Sequence, residues 1–364
     1  MKKINFILTA LALIVIGACN SDEDIIEIPV SDGAVLDIGI GGPKQPNQVF
    51  IDLSMDTQTS VDRSTWDLGF YSGDQFSVIL NASAEVMARS IGKSNFDDVT
   101  AEDYEGLGEQ MTVDAIFSNL FSPPPYPEWM SESSQWIDDP DGNLNNTAIA
   151  SISANDSEND IYLINRGFTS EDVSRGESIL VKVSRNGNGY TLQYQTPGAT
   201  TVESVDITKN EELNFVGFDF DNGVVDVEPT KDSWDIIFST TMVKLDVGGG
   251  ILIPYAFQDY VLQNRNGVTV AEVEVGEEND LLSTYEGFTL GDVAGLEFDE
   301  RANAIGDSWR TVASPTPGTV TGVRTDGFYV LKDVSGNQYK LLFTGMLNET
   351  GERGYPQITY ELLK

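Results

Sequence analysis

The sequence predicts an all-β protein whose sheet is built twice along the chain. Three observations carry that expectation. Phe218 and Phe220 alternate with Asp219 and Asp221, the period of two that puts one strand face in a core and the other in water. Trp234-Asp235-Ile236-Ile237-Phe238 is dense in strand formers and apolar enough to be buried on both faces. Both segments occur earlier as well, as Ile51-Asp52-Leu53-Ser54 and Trp66-Asp67-Leu68-Gly69-Phe70.

The spacing repeats with the residues. Trp66 follows Ile51 by fifteen positions and Trp234 follows Phe218 by sixteen. A cation stands three residues before each Trp (Arg63, Lys231) and a hydroxyl directly before it (Thr65, Ser233). Later, Ile161–Asn165 matches Phe328–Lys332, and each is followed by a hairpin ending near Tyr194 or Leu363. Self-similarity over this distance indicates a tandem duplication and not a short-period solenoid. Two antiparallel β domains are expected, over residues 47–200 and 201–364, each folding on its own core.

In chain order, residues 1–18 carry two lysines, an apolar run from Phe6 to Ile16 and small residues before Cys19. This is an export signal, too short to span a bilayer. Ile16-Gly17-Ala18-Cys19 resembles the lipobox of bacterial lipoproteins, and Cys19 is the only cysteine. The resemblance implies lipidation of Cys19 and an anchor of more than one acyl chain, which holds where one would not. Asn20-Ser21-Asp22-Glu23-Asp24 resembles the acidic surface-export tag of Bacteroidetes lipoproteins, which implies an outer-membrane, cell-surface location. Residues 19–46 read as an acidic, Gly-rich tether without regular structure.

The first copy opens with strands at Ile51 and Trp66 and a third from Phe76 to Leu80. Ala115, Ile116, Leu120 and Phe121 fall at helical spacing, so a short helix is expected from Val113 to Phe121, ahead of Pro123. Tyr126-Pro127-Glu128-Trp129-Met130 reads as an aromatic loop. Strands at 159–166, 179–183 and 190–195 close the copy, with Asn186-Gly187 as a hairpin turn. In the second copy, Asn222-Gly223 makes a turn after the Phe218 strand, and separate strands are expected at Trp234–Phe238 and Met242–Val247. Strands at 328–331, 339–343 and 358–363 follow around a Ser335-Gly336-Asn337 turn.

Composition excludes several functions. With 58 acidic and 21 basic residues the formal charge is -37, so nucleic acid and anionic lipid surfaces are poor partners. The 40% apolar content is ordinary for a folded chain, so this is not a disordered acidic tail. There is no histidine, hence no Ser-His-Asp triad, Cys-His pair or His-Glu-x-x-His zinc motif. An enzyme is not expected. Asp139-Pro140-Asp141-Gly142-Asn143 is rich in oxygen ligands but lacks the spacing of a calcium loop, and a plain turn is expected there.

The second half is similar to the HmuY family of heme-carrying surface lipoproteins. The matching segments are Phe218–Asp226, Trp234-Asp235, Trp309 with the Pro/Gly-rich stretch after it, Phe328-Tyr329-Val330, Gly336-Asn337 and Gly354–Tyr360. They run in order over residues 205–364, with a fainter first copy. The resemblance implies an all-β fold with a cleft that takes heme and passes it to a TonB-dependent outer-membrane receptor. Its best-known members hold iron between two histidines; one of those positions falls here on Ser314. Any heme must therefore be held by thioether or phenolate. Met130 is the first candidate ligand, with Tyr126 and Trp129 beside it, while Met242 and Met346 are expected to pack on strands. Trp66 and Trp234 are expected as core anchors, and Asp67 and Asp235 as hydrogen-bond partners for backbone or indole. The other reading is an adhesion or assembly module that kept the fold and lost the ligand.

Overall fold

The computed structural model describes residues 30–123, 126–276, 278–312 and 320–364. Its first strands are β1 (Gly33–Asp37), β2 (Asn47–Asp52), β3 (Thr57–Asp62), β4 (Leu68–Tyr71), β5 (Val78–Leu80) and β6 (Met87–Ser90). After a helical insertion come β7 (Ile161–Asn165), β8 (Ile179–Asn186), β9 (Gly189–Gln195), β10 (Glu203–Ile207), β11 (Phe215–Asp219) and β12 (Gly223–Val225). Next are β13 (Ile236–Asp246), β14 (Leu252–Gln263) and β15 (Thr269–Glu274). The chain ends with β16 (Arg310–Thr311), β17 (Gly322–Val323), β18 (Gly327–Lys332), β19 (Gln338–Leu347) and β20 (Arg353–Leu362). The class is all-β.

The strands assemble into two five-stranded sheets, β1-β20-β19-β18-β15 and β10-β9-β8-β7-β6, and two four-stranded sheets, β14-β13-β2-β3 and β12-β11-β4-β5. Replacing β1–β3 by β10–β12, β13–β15 by β4–β6, and β18–β20 by β7–β9 converts one set of sheets into the other. The sheets are therefore two copies of one plan, but the copies exchange hairpins. The β2–β3 hairpin pairs with β13, with Ile51 opposite Ile236. The β11–β12 hairpin pairs with β4, with Phe218 opposite Leu68.

This exchange corrects the expected division at residues 200 and 201. One core gathers Leu68, Phe70, Val181, Leu192 and Phe218, all from the interval 68–218. The other gathers Ile40, Val49, Ile51, Phe238, Trp309 and Tyr360, from both ends of the chain. The cores thus divide the sequence near Arg63 and Lys231, and the described residues from Ser31 onward form one compact unit. The tether is shorter than expected, because Gly33–Asp37 adds to β20 as an edge strand.

The Trp-Asp pairs sit at the crossings between copies. Asp67 N donates to Phe218 O (2.8 Å) and Asp235 N to Ile51 O (2.7 Å). Each carboxylate also accepts a backbone N–H from the exchanged hairpin, Phe220 to Asp67 (2.9 Å) and Leu53 to Asp235 (2.8 Å). Two buried asparagines clamp the turns ahead of the tryptophans. Asn81 Nδ2 donates to Arg63 O and Trp66 O, and Asn264 Nδ2 to Lys231 O and Trp234 O, all at 2.7 Å.

The copies then diverge in charge. Asp67 is held by Arg166 (2.9 Å) and Arg175 (2.8 Å), and Arg175 also reaches Asp219 (3.1 Å). In the second copy the position of Arg166 is occupied by Asp333, and burial, with Asp52 and Asp333 adding to it, pushes the Asp235 pKa up to about 7.

Local structure follows the sequence where the signal is local. The expected helix is α2 (Val113–Leu120), preceded by the one-turn α1 (Leu107–Gln110). Thr112 caps α2 by accepting from Ala115 N, and Ile116 is its buried residue. The segments expected as two strands, Trp234–Phe238 and Met242–Val247, belong to one strand, β13, whose Thr240 stands opposite a bulge of β14 at Gln258 and Asp259. The extra residue on β14 lets both halves of β13 stay paired while β14 bends.

Candidate functional site

A cleft of 540 Å³ lies where the second copy's β14 and β16 face loops of the first. That volume is within the ~300–1,000 Å³ usual for small-molecule sites. Tyr255 and Phe257 on β14 and Val312 beyond β16 make its apolar wall. Lys44, Arg63, Arg310 and Arg353 make its polar one, opposed by Glu85 and Asp172.

Asp259 organises the cationic side. It has a left-handed backbone (φ 53°) and is buried. Its Oδ1 accepts from Gln45 (2.6 Å), and Oδ2 accepts from Arg353 Nε (2.8 Å) and Nη2 (2.5 Å). Its carbonyl accepts from Trp309 Nε1 and Arg310 Nε, each at 3.1 Å. Arg310 Nη2 donates to Gln258 O (2.6 Å), and its guanidinium lies 5.5 Å from the Phe257 ring centroid. The ring of Tyr255 packs 5.1 Å from Phe257 and 5.5 Å from Phe117 of α2.

Two of these cations are buried without an ion pair among the described residues. Arg63 donates through Nη1 to Ser83 O, and its Nε has no partner. Arg310 bonds only carbonyls. Burial lowers both guanidinium pKa values, partly countered by Glu85 for Arg63 and by Asp259 for Arg310. In a chain with 58 acids and 21 bases, carboxylates were available in excess to pair them. Two unpaired buried arginines in one cleft therefore favour an anion from outside. Lys44 at the rim pairs with Asp172 (2.9 Å), which raises its pKa.

The residues singled out in the sequence lie elsewhere. Met130 is 1% exposed and packs with Met87, Met111 and Met242 in the core under α2, so it fills space instead of facing a ligand. Trp129 is half-buried and stacks on Trp136 with centroids 5.8 Å apart. Tyr126 is 37% exposed. None of the three lines the cleft. Met346 is buried in the second copy's core. Cys19 and Ser314 lie outside the described residues. Asp139 accepts from Asp141 N (3.1 Å) and Asn146 Nδ2 (2.8 Å), a turn held by its own side chains. No cluster of three acidic side chains placed to hold a metal occurs among the described residues.

Sequence reading missed the cleft because its residues come from segments scattered from Pro43 to Arg353. The signal available was Arg310 directly after Trp309, a basic residue within a segment already marked by the family resemblance.

A tetrapyrrole fits part of this donor set. Its carboxylates match the arginines, and its ring matches the aromatic wall. For the iron, Tyr255 is the only described lining side chain of a His, Cys, Met or Tyr kind.

Comparison with solved structures finds a Tannerella forsythia apo HmuY analog, 10% identical over 92% of this chain and 98% of that one, at TM-score 0.23. A Bacteroides vulgatus protein assigned as HmuY-like and heme-binding is 9% identical over 92% and 95%, at TM-score 0.19. A Bacteroides fragilis protein assigned as a lipoprotein is 14% identical over 49% and 92%, at TM-score 0.21. A comparison with curated proteins finds no match. The family model for HmuY protein matches residues 44–360, both copies together. The chain belongs to the HmuY family.

Proposed function

We propose that this chain is a non-catalytic surface lipoprotein that carries heme or a related tetrapyrrole in the cleft between Arg310, Arg353 and Tyr255, and passes it to a TonB-dependent outer-membrane receptor. Family membership supports heme binding as the general activity. The observation that carries the cleft assignment is the gathering of Lys44, Arg63, Arg310 and Arg353 beside an aromatic wall in a chain of charge -37. Porphyrin carboxylates would lie against the arginines and the ring against Phe257 and Val312. Imidazole from this chain is excluded by composition, and Met130 is packed away, so the phenol oxygen of Tyr255 is the ligand offered to iron. An anionic oxygen ligand prefers the harder ferric ion.

An absorbance titration tests this. Ferric heme is expected to bind more tightly than ferrous, with a high-spin spectrum. Tyr255→Phe should change that spectrum and Arg310→Ala should weaken binding. Met130→Ala should leave the spectrum unchanged while lowering stability by roughly 2–5 kcal/mol, as core Met truncations do. No saturable Soret change in either oxidation state at micromolar protein would favour the second reading, an adhesion or assembly module, to which the absence of histidine lends weight.

For the anchor, we propose lipidation at Cys19 and exposure on the outer membrane. Cys19→Ala is expected to move the protein from the membrane to the soluble fraction. Retention of the variant at the surface would remove the basis for the lipobox.

A further inference from the structure

The aromatic wall of the cationic cleft continues beyond the cleft. Tyr255 and Phe257 are two residues apart on β14 and so share one face of it, with ring centroids 5.1 Å apart. Phe117 in the last turn of α2 and Phe121 at its end are four apart and share one helix face, with centroids 6.2 Å apart. Phe117 meets Tyr255 at 5.5 Å. The four rings form an unbroken track, Phe121-Phe117-Tyr255-Phe257, every step within the ~4.5–7 Å of paired aromatics. Its inner end lies beside Arg310, whose guanidinium is 5.5 Å from the Phe257 centroid. Its outer end is open, because Phe121 is 81% exposed while the other three rings are half-buried.

Helix packing does not account for Phe121. Ile116 is the buried residue of α2, and Phe117 and Leu120 pack against the core beneath it. Phe121 extends that apolar stripe past the body it covers.

The surroundings of the track are uncharged in sequence. Residues 115–127 carry no charged side chain, nor do residues 247–258, in a chain of which 22% is charged. The fold joins these two segments at the Phe117–Tyr255 contact. A ligand bearing carboxylates is repelled at long range by a molecule of charge -37. An uncharged aromatic approach lets a flat ring pass from one side chain to the next without depending on charge attraction.

We propose that Phe121 and Phe117 form the entry track of the cleft: the tetrapyrrole ring lands on Phe121, crosses Phe117 and is delivered to Tyr255 and Phe257, and its carboxylates reach Arg310 last. This rests on the cleft being the tetrapyrrole site. Phe121 meets the ligand only in transit, so it sets how fast the ligand enters and leaves and not how tightly it is held.

The test is stopped-flow binding of ferric heme and of iron-free protoporphyrin to the full chain and its variants. Phe121→Ser is expected to slow association roughly fivefold and dissociation by the same factor, leaving the equilibrium affinity and the heme spectrum unchanged. Phe121→Tyr keeps a ring and should retain both parental rates. Protoporphyrin should be slowed as heme is, because the track acts on the ring and not on the metal. Leu282 of α3 (Leu281–Gly287) is 58% exposed and lines neither the cleft nor the track, so Leu282→Ser should leave both rates alone. Unchanged rates in Phe121→Ser, slowing confined to heme, or equal slowing by Leu282→Ser would overturn the track and leave the cleft in place. Faster dissociation alone would put Phe121 against the bound ring and overturn it too. No saturable change with the parental protein, for heme and protoporphyrin alike, would overturn the cleft reading and the track with it.

Discussion

Residues 201–364 produced alone should not fold, although they contain a full sequence repeat. Their core depends on Ile38, Ile40, Val49, Ile51 and Leu53, each no more than 5% exposed and all contributed by the first 62 residues. Burying an aliphatic side chain is worth about 1.5–3 kcal/mol, so losing five removes roughly 8–15 kcal/mol. That equals the whole stability of an ordinary domain, about 5–15 kcal/mol. The fragment would also keep β11 and β12 without β4, their partner. Joining residues 31–62 by a flexible linker to residues 234–364 should restore a cooperative unit, because it reassembles β1–β3 with β13–β20. Residues 64–230 carry β4–β12 and should fold by themselves. Circular dichroism melts and dispersed amide NMR signals decide the matter. A cooperative melt of 201–364 alone would mean that the hairpin exchange contributes little to stability.

The second expected result is a fall in stability as pH rises from about 4 to 7. Burial pushes Asp138 up to about 6, and Glu228 and Asp235 each up to about 7. The folded protein therefore holds protons that the unfolded chain, titrating near its ordinary carboxyl values of about 4, releases. For a raised carboxyl the contribution is complete below the unfolded pKa and is lost as pH climbs through the folded one. The window is thus about pH 4 to 7. For Asp235 the shift of about three units corresponds to at most ~4 kcal/mol.

The Asp235 carboxyl accepts from Leu53 N and is faced by the carboxyls of Asp52 and Asp333. Asp235→Asn keeps the acceptor and removes the ionisation. It should raise stability at pH 8, leave it nearly unchanged near pH 3.5, and flatten the profile between them. Urea unfolding at constant ionic strength measures this. General repulsion within so acidic a chain also grows with pH, so the variant and not the wild-type slope identifies the group. An Asn variant with the parental pH profile would place the titrating carboxyl elsewhere.

The contrast with Asp67 shows how one fold supports two electrostatic solutions. Both aspartates anchor the exchanged hairpin through the same backbone bond. Burial raises the Asp67 pKa and the guanidiniums of Arg166 and Arg175 oppose that rise, while Asp235 has carboxylates for neighbours.

What the sequence determined by itself was local or compositional. The dense Trp234–Phe238 run located the start of β13, while the alternation at Phe218–Asp221 marked only the end of β11, which is buried on both faces with Asp219 inside. Helical spacing ahead of Pro123 located α2 within a residue of its observed end. The absence of histidine excluded imidazole ligation without any structure.

The tertiary structure decided everything that rests on distant pairing. Gly33–Asp37 looks like a tether because its partner strand is β20, at the other end of the chain. The division between copies moved to Arg63 and Lys231 because two equivalent hairpins can satisfy the same strand edge, and only packing selects which one does. Met130 reads as a loop ligand beside Tyr126, but burial against three other methionines is set by how α2 folds over the sheet. The cationic cleft was invisible for the same reason. Lys44, Arg63, Arg310 and Arg353 have no spacing in common, and only the folded chain brings their charges to one surface.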